Sequence, residues 1–329
     1  MSLMSLKIRA TAYKVRRQSG AALLLAMLTV TLVAGFSASA LWQQWQALEI
    51  ETAERTRVQA SWILTGAADW ARLILVEDAR TGGPDYLSEP WAQVFQEIPL
   101  SSLLSADKNT TASSGGAPDG SLSGQIQDMQ ARLNVLNLID GDKVSQADLQ
   151  AFSRLFTLLG LPLSELRLLA ENLGVSSAPG TTATIAITTS TPISPQHVRE
   201  LALLGLSRPT ITRLAPYISV LPVRSVVNLN TAGVEVIYAS VPGLEVAQAR
   251  RLVEERTRSP FRNLEDARRL AAAAAERITE ARHSVGTRFF EVSGRLQLDK
   301  LVVEERTLMQ REGVDVKTLW REKGALNAP

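Results

Sequence analysis

The longest apolar stretch of the chain lies near its N-terminus. No charged residue occurs between Arg17 and Glu49, and the stretch Ala21 to Leu41 consists mainly of Ala, Leu, Val, Met and Phe with a few Ser and Thr. At about 1.5 Å per residue, a helix of this length covers roughly 30 Å, the thickness of a bilayer core. The pattern predicts a transmembrane segment at 21–41, followed by Trp42 and Trp45 at the membrane interface.

The pattern then becomes amphipathic. Between Trp42 and about Leu75, charged and apolar residues interleave without a proline, which favours continuation of the same helix. Gly82, Gly83 and Pro84 end it. The first half of this helix is therefore suited to lipid and the second half to packing on a folded domain.

Downstream, the patterns alternate between helical and extended. Alternating apolar positions in 122–138 predict strands, and they follow a Ser/Gly/Thr-rich stretch at 107–124 that predicts a loop. From Ser145 to about Arg282 the pattern is mainly helical, with a Ser/Thr/Pro linker at 176–195. Period-two alternation returns at 287–298, and 301–310 can pair back as a hairpin.

Composition excludes several kinds of chemistry. The chain has 329 residues and no cysteine, so disulfides, zinc-thiolate sites and cysteine nucleophiles are impossible. Its 35 basic and 33 acidic side chains leave a net charge of +2, too small to mark the whole chain as a nucleic-acid binder. His197 and His283 lie far apart, and neither has the histidine partner at i+3 or i+4 that would form part of a metal site.

The residues before the apolar stretch indicate orientation and processing. Met1 to Gly20 has five basic residues and no acidic one, so this end is predicted to stay in the cytoplasm. A secretory signal peptide has small residues after its apolar region, but here Gly20 precedes that region. This order resembles the class III leader of type IV pilins and pseudopilins, which implies that a prepilin peptidase cleaves between Gly20 and Ala21. The alternative is an ordinary signal anchor.

Leu25 departs from the general pilin pattern. Most such pilins carry a glutamate at mature position five, which corresponds to Leu25 in this chain. A carboxylate in hydrocarbon is costly unless it has a partner, and the family's glutamate is thought to meet the N-terminal amine of the preceding subunit. A subunit with none ahead of it needs no glutamate. Leu25 is therefore a marker of the tip position and fits the K-type minor pseudopilin of type II secretion systems.

Other segments resemble the same K-type family. Residues 89–92 read Glu-Pro-Trp-Ala, 122–138 resemble the pattern SGxIxDxQxRxNxNNL except at Val135 and Leu136, and 227–232 read Val-Asn-Leu-Asn-Thr-Ala. The resemblance implies an α+β, pilin-like fold. In it, a long N-terminal transmembrane and spine helix packs on an antiparallel sheet, and an inserted all-helical domain contains a helix-hairpin-helix-like unit. The implied segments are a cleaved leader (1–20), the transmembrane segment (21–41), the spine helix and first part of the sheet (42–138), the inserted helical domain (139–284) and the C-terminal strands (285–329).

The implied function is assembly, with the bulk of the chain on the periplasmic side of a bacterial inner membrane. A K-type subunit at the pseudopilus tip would nucleate assembly and so support protein export across the outer membrane. The expected partners are the I-type and J-type minor pseudopilins, the major pseudopilin, the prepilin peptidase, secreted substrate and the outer-membrane secretin.

A DNA-binding role is the main alternative. The stretch from Val227 through Pro242 and Gly243 to Arg262 resembles a helix-hairpin-helix unit, so a membrane-tethered DNA receptor of a competence system or a type IV pilus-like system is an open hypothesis. However, Glu245 occupies the place of the usual second hairpin glycine. Five basic and five acidic residues between Pro242 and Asp266 also sum to zero. Because DNA affinity depends largely on neutralised phosphates, nucleic acid is an unlikely partner.

No enzymatic activity is predicted. The sequence has no motif that brings together a nucleophile, a base and an oxyanion site, and it has no nucleotide-binding glycine motif. No cofactor is required. The family resemblance implies structural calcium, and Asp140-Gly141-Asp142 offers suitable oxygens, but this turn is far from a full calcium-binding loop, so no metal ligands are assigned.

Overall fold

The computed structural model describes residues 19–105, 120–141, 143–177, 194–298 and 301–327. The chain divides into two compact units, which meet along the sequence at Gln59 and Ala60. The prediction for Met1 to Gln18 falls outside the described residues, as do those for most of the loop at 107–124 and of the linker at 176–195.

Helix α1 spans Ser19–Thr81. Among the described helices, α1 alone has a stretch that is long and apolar enough to cross a membrane. The helix continues six residues beyond the predicted end, because no breaker occurs before Gly82. Gly82 and Gly83 have φ values of 67° and 117°, which favour glycine, and they end the helix as predicted.

Five antiparallel strands form the main sheet, in the order β1-β2-β9-β10-β11. They are β1 (Phe95–Pro99), β2 (Gly120–Asp128), β9 (Phe289–Leu298), β10 (Leu301–Glu312) and β11 (Asp315–Asn327). Between β1 and β2 lies a short helix, α2 (Leu100–Ser105). From Ala60 onward, α1 packs on one face of this sheet, where the buried Leu75 meets Ile126, Phe290 and Met309. The predicted α+β class is confirmed.

Helices dominate the chain between β2 and β9. They are α3 (Gln146–Leu159), α4 (Leu163–Ser177), α5 (Arg208–Leu214), α6 (Val234–Ser240), α7 (Val246–Arg258) and α8 (Leu264–Leu270). Four 3-10 segments accompany them, at Met129–Ala131, Val135–Leu138, Val198–Leu204 and Ala272–Arg277. Two-residue strands pair in β3 (Leu133–Asn134) with β6 (Ile218–Ser219), β4 (Ile139–Asp140) with β5 (Lys143–Val144), and β7 (Val227–Asn228) with β8 (His283–Ser284). The inserted region is therefore mainly helical, and not entirely helical as predicted.

The prediction of strands across 122–138 is correct as far as Asp128 and for the two residues of β3. The Asp128 side chain accepts a hydrogen bond from the Gln130 amide, and the Asn134 side chain accepts one from the Leu136 amide. Such local side-chain bonds compete with strand pairing and begin 3-10 turns at both places. The loop prediction is wrong from Gly120, because 120–124 already belong to β2.

Candidate functional site

The predicted processing and tip residues lie at the start of α1. Gly20 and Ala21 are exposed in the first turns, and Leu25 is 63% exposed. A Cβ built on Gly20 would meet nothing within 4 Å. A substitution at Gly20 therefore meets no steric obstacle among the described residues, so we expect an effect on processing to arise at the peptidase.

Asp128 is the centre of a buried polar junction between the sheet and the inserted region. Its Oδ2 accepts hydrogen bonds from Asn228 Nδ2 at 2.9 Å and Thr231 Oγ1 at 2.5 Å, and its Oδ1 accepts one from the Gln130 amide at 2.7 Å. Burial raises the pKa of Asp128, although these hydrogen bonds oppose the shift. The junction joins the two segments that carry the family resemblance, 122–138 and 227–232.

Other polar residues of the first segment bind the chain that returns from the insert. Asn134 donates from Nδ2 to the Val223 carbonyl at 2.8 Å, and Asn137 donates to the Ser225 carbonyl at 2.7 Å. Gln130 accepts from the Arg288 amide. These amides satisfy backbone groups that no ladder partner reaches. The resemblance in this segment therefore has a structural explanation that needs no ligand.

A second ionic centre surrounds Arg311 on β10. Its guanidinium donates to both carboxylate oxygens of Asp85 at 2.6 Å, to Asp78 and to the Thr287 carbonyl at 2.8 Å. Asp85 also accepts from the Thr287 amide at 2.7 Å. Arg311 thus ties the end of α1 and the turn after it to β10 and to the residues just before β9.

This centre also contains the acidic cluster that fits a metal ion best among the described residues. One carboxylate oxygen each from Asp78, Asp85 and Glu89 lies within 4.8 Å of the others. Burial raises the pKa of Asp78 and of Glu89. Arg311 already supplies a cation to two of the three carboxylates, so the cluster is explained without calcium.

The calcium prediction at Asp140-Gly141-Asp142 stays a prediction. Asp140 is the exposed last residue of β4, just before the turn to β5, and Asp142 lies outside the described residues. One exposed carboxylate is far from the six to eight oxygens that calcium takes. No residue is assigned as a ligand.

The helix-hairpin-helix-like unit is formed by α6, the turn at 241–245 and α7. Gly243 turns the hairpin with φ of 79°. Arg154 of α3 donates to the Val241 and Leu244 carbonyls, both at 2.8 Å, and its guanidinium lies over the Tyr238 ring. The hairpin is therefore held against α3 within the insert.

The charge of this hairpin disfavours phosphate. Arg256 is buried, where it donates to the Leu229 carbonyl, and burial lowers its pKa to about 10. Removing it from the five basic residues between Pro242 and Asp266 leaves four near the surface against five acidic ones. Glu245 is exposed at the N-terminus of α7, where a phosphate would lie. The surface of the hairpin is thus slightly acidic.

His283 and Ser240 form a buried pair that could be mistaken for catalytic machinery. His283 Nε2 lies 3.3 Å from Ser240 Oγ, and both residues are almost completely buried. The Thr279 amide donates to His283 Nδ1, so no carboxylate orients the ring through that nitrogen. Burial lowers the pKa of His283 to about 4. The pair fits a structural hydrogen bond and lacks the geometry of a serine nucleophile.

Comparisons with known proteins agree with the resemblance found in the motifs. A family profile described as type II secretion system (T2SS), protein K, matches residues 227–288. The type II secretion system protein K of Pseudomonas aeruginosa is 26% identical over 342 aligned positions, covering 95% of each chain. The crystal structure of the GspK-GspI-GspJ complex from the enterotoxigenic Escherichia coli type 2 secretion system contains a chain with the same fold. It aligns with a TM-score of 0.65 and 17% identity, covering 83% of this chain and 98% of that one.

Proposed function

We propose that this protein is a minor pseudopilin of a type II secretion system, because its similarity to a K-type protein extends over nearly the whole chain. It occupies the tip of the pseudopilus and nucleates assembly with the I-type and J-type minor pseudopilins. The observation that carries the proposal is the match to protein K over 95% of both chains. That match includes the N-terminal helix as well as the globular part.

The features of α1 support the tip position and the membrane topology. The uninterrupted apolar helix fits a single-pass anchor, with the basic residues before Gly20 on the cytoplasmic side. In a body subunit, the family's glutamate would make an ionic contact with the N-terminal amine of the preceding subunit. Leu25 has no charge and cannot make this contact. The globular part would then lie in the periplasm, where other minor pseudopilins, secreted substrate and the secretin could reach it.

The decisive test is the N-terminus of the mature chain. We expect intact mass and N-terminal sequencing to place it at Ala21, with loss of residues 1–20. Gly20→Ala should block cleavage and protein export without unfolding the chain, because the added Cβ meets no neighbour. A mature chain that begins elsewhere, or normal export by an uncleaved Gly20→Ala protein, would contradict the proposal.

We also expect weak or undetectable binding of duplex DNA at physiological salt. The slightly acidic surface of the hairpin offers few phosphate contacts, and phosphate contacts supply most non-specific affinity. Fluorescence anisotropy of a labelled duplex against the full chain in detergent, at two salt concentrations, measures this. Sub-micromolar affinity with a steep salt dependence would instead support the membrane-tethered DNA receptor.

A further inference from the structure

A groove of about 390 Å³ runs between α1 and strands β1, β2 and β9. We call it the spine groove and define it by Gly66 and Trp70 of α1, Phe95 and Ile98 of β1, and the floor residues Gly124 and Gly294. At Gly124 the floor is bare backbone, because the three atoms nearest to a Cβ built there belong to the backbone of β9. At Gly294 the Leu64 side chain of α1 already covers the floor. A Cβ at Gly294 would lie 3.1 Å from Leu64, already a tight contact.

The mouth of the groove is aromatic and exposed. Trp70 is 51% exposed and packs on Phe95 with ring centroids 4.8 Å apart. One helical turn away, a Cβ built on Gly66 would meet no described atom within 4 Å. After another turn, Trp62 is 73% exposed. Trp62, Gly66 and Trp70 therefore form a stripe on one face of α1, with a notch between two indoles.

The stripe and the groove carry little unbalanced charge. Asp69, next to Trp70, pairs with Arg72 on the same helix. Among the described residues that line the groove, Glu305 alone is charged, and it has Arg321 Nε at 3.1 Å and Lys323 Nζ at 3.6 Å. A charged partner would gain little here. Exposed apolar surface of this kind in a soluble domain marks an interaction site.

The shape of the surface favours a helix as its occupant. Residues spaced four apart along a helix make a ridge-and-groove surface that fits the side-chain ridge of another helix. Strand addition is disfavoured, because β1 has only five residues, contains an irregular register between Phe95 and Ile98, and ends in Pro99. A small polar ligand would lack the convergent polar groups that fix orientation in ligand pockets.

We propose that the spine groove receives a large apolar side chain from the amphipathic helix of a neighbouring pilin-like subunit, and that Gly66 allows that helix to approach closely. The inference rests on the proposed function, because it takes the neighbour to be an I-type or J-type minor pseudopilin. It adds a specific socket, in which Trp62 and Trp70 flank the incoming helix and the floor at Gly124 accommodates its side chain.

Filling the notch tests this without unfolding the chain. Gly66→Leu places a side chain in open space on a helix and replaces glycine by a better helix former, so the midpoint of thermal unfolding should stay equal or rise. Binding of the full chain in detergent to purified I-type and J-type subunits of the same system should weaken about tenfold or more. Gly324→Leu is the matched control, because Gly324 also has open space but lies on β11, at the opposite edge of the sheet from β1.

Crosslinking separates failure of this inference from failure of the proposed function. The native chain has no cysteine, so Gly66→Cys and Gly324→Cys each introduce one defined thiol. We expect disulfide crosslinks to cysteines on the partner's helix from position 66 and none from position 324. If the wild-type complex forms while Gly66→Leu binds fully and Gly66→Cys does not crosslink, the socket is wrong and the pseudopilin assignment stands. If the native chain binds neither subunit, both proposals fail.

Discussion

Replacing Asp128 by alanine should lower the free energy of unfolding by about 3–5 kcal/mol. The substitution leaves Asn228 Nδ2, the Thr231 hydroxyl and the Gln130 amide without their acceptor in the buried junction. Each unsatisfied buried group costs about 1–3 kcal/mol, although such costs are not additive. The buried Arg256 also loses the negative charge that holds its pKa up.

Two variants make the measurement specific. Asp128→Asn keeps an acceptor oxygen, so it should cost only about 1–2 kcal/mol. Asp69→Ala removes an exposed aspartate whose ion pair with Arg72 spans 3.7 Å, and it should change stability by less than about 0.5 kcal/mol. Urea unfolding of the full chain in detergent, followed by near-ultraviolet circular dichroism, reports the packing of the buried Trp91. Equal stabilities for Asp128→Ala and Asp69→Ala would refute the account of the junction.

The pH dependence of the Asp128→Asn difference checks the buried charge. Burial raises the pKa of Asp128 above its usual 3.8 in the folded chain. The ionised carboxylate is therefore penalised at neutral pH, and the penalty is relieved as the pH falls through the raised pKa towards 3.8. Over this pH interval, the free energy of unfolding of the wild type should rise relative to that of Asp128→Asn. Measuring the difference cancels contributions from groups that both proteins share, such as His283.

The strongest sequence patterns predicted the corresponding parts of the fold. The apolar run and the amphipathic run predicted one continuous helix, because hydrophobic periodicity over dozens of residues is a local signal. The strand at 289–298 and its hairpin partner β10 were predicted from period-two alternation. The end of α1 at Gly82 followed from glycine and proline chemistry, which also acts locally.

The misses arise where long-range contacts decide the structure. Strand β11 was not predicted from the residue pattern, and only the family resemblance implied strands as far as residue 329. It has 13 residues and pairs with β10 along nearly its whole length. Its residues are mostly polar and charged, so the apolar alternation that marks a strand is weak there. At 129–138, alternation suggested strands, but the Asp128 and Asn134 side chains begin 3-10 turns there. Asn134 and Asn137 also bind the chain near residue 224, a contact that the local pattern does not reveal.

The candidate sites were only partly visible in the sequence. The junction joins residues about 100 positions apart. Asp128 and Asn228 belong to two motifs of the same family, but nothing else in the sequence indicates that their side chains meet. Arg311 contacts Asp78 and Asp85 across more than 220 positions. The spine groove depends on glycines in three separate elements, and Trp62 and Trp70 at i and i+8 around Gly66 were the one local signal that could have suggested it.

Replacing Leu25 by glutamate should impair assembly if this subunit stands at the pseudopilus tip. A carboxylate at the centre of a membrane helix costs about 2.5–3.5 kcal/mol on insertion scales unless it finds a partner, and the cost is smaller at Leu25, which lies near one end of the 21–41 segment. At the tip no preceding subunit offers an amine, so the cost is not recovered. We expect fewer pseudopili and weaker export when Leu25→Glu is the only copy in the cell, with the cost reduced if the acid is protonated or tilts towards the interface.

Leu24→Glu distinguishes the cost of insertion from the effect of position. Leu24 and Leu25 are similarly exposed on α1, at 69% and 63%, so a glutamate at either should carry a similar insertion cost. They point in directions about 100° apart around the helix, because 3.6 residues make one turn, and only position 25 corresponds to the family's glutamate. A tip subunit should be impaired to a similar extent by both changes. If Leu25→Glu assembles as well as the native chain or better while Leu24→Glu fails, the new carboxylate has found a preceding amine, and the subunit belongs in the body of the filament.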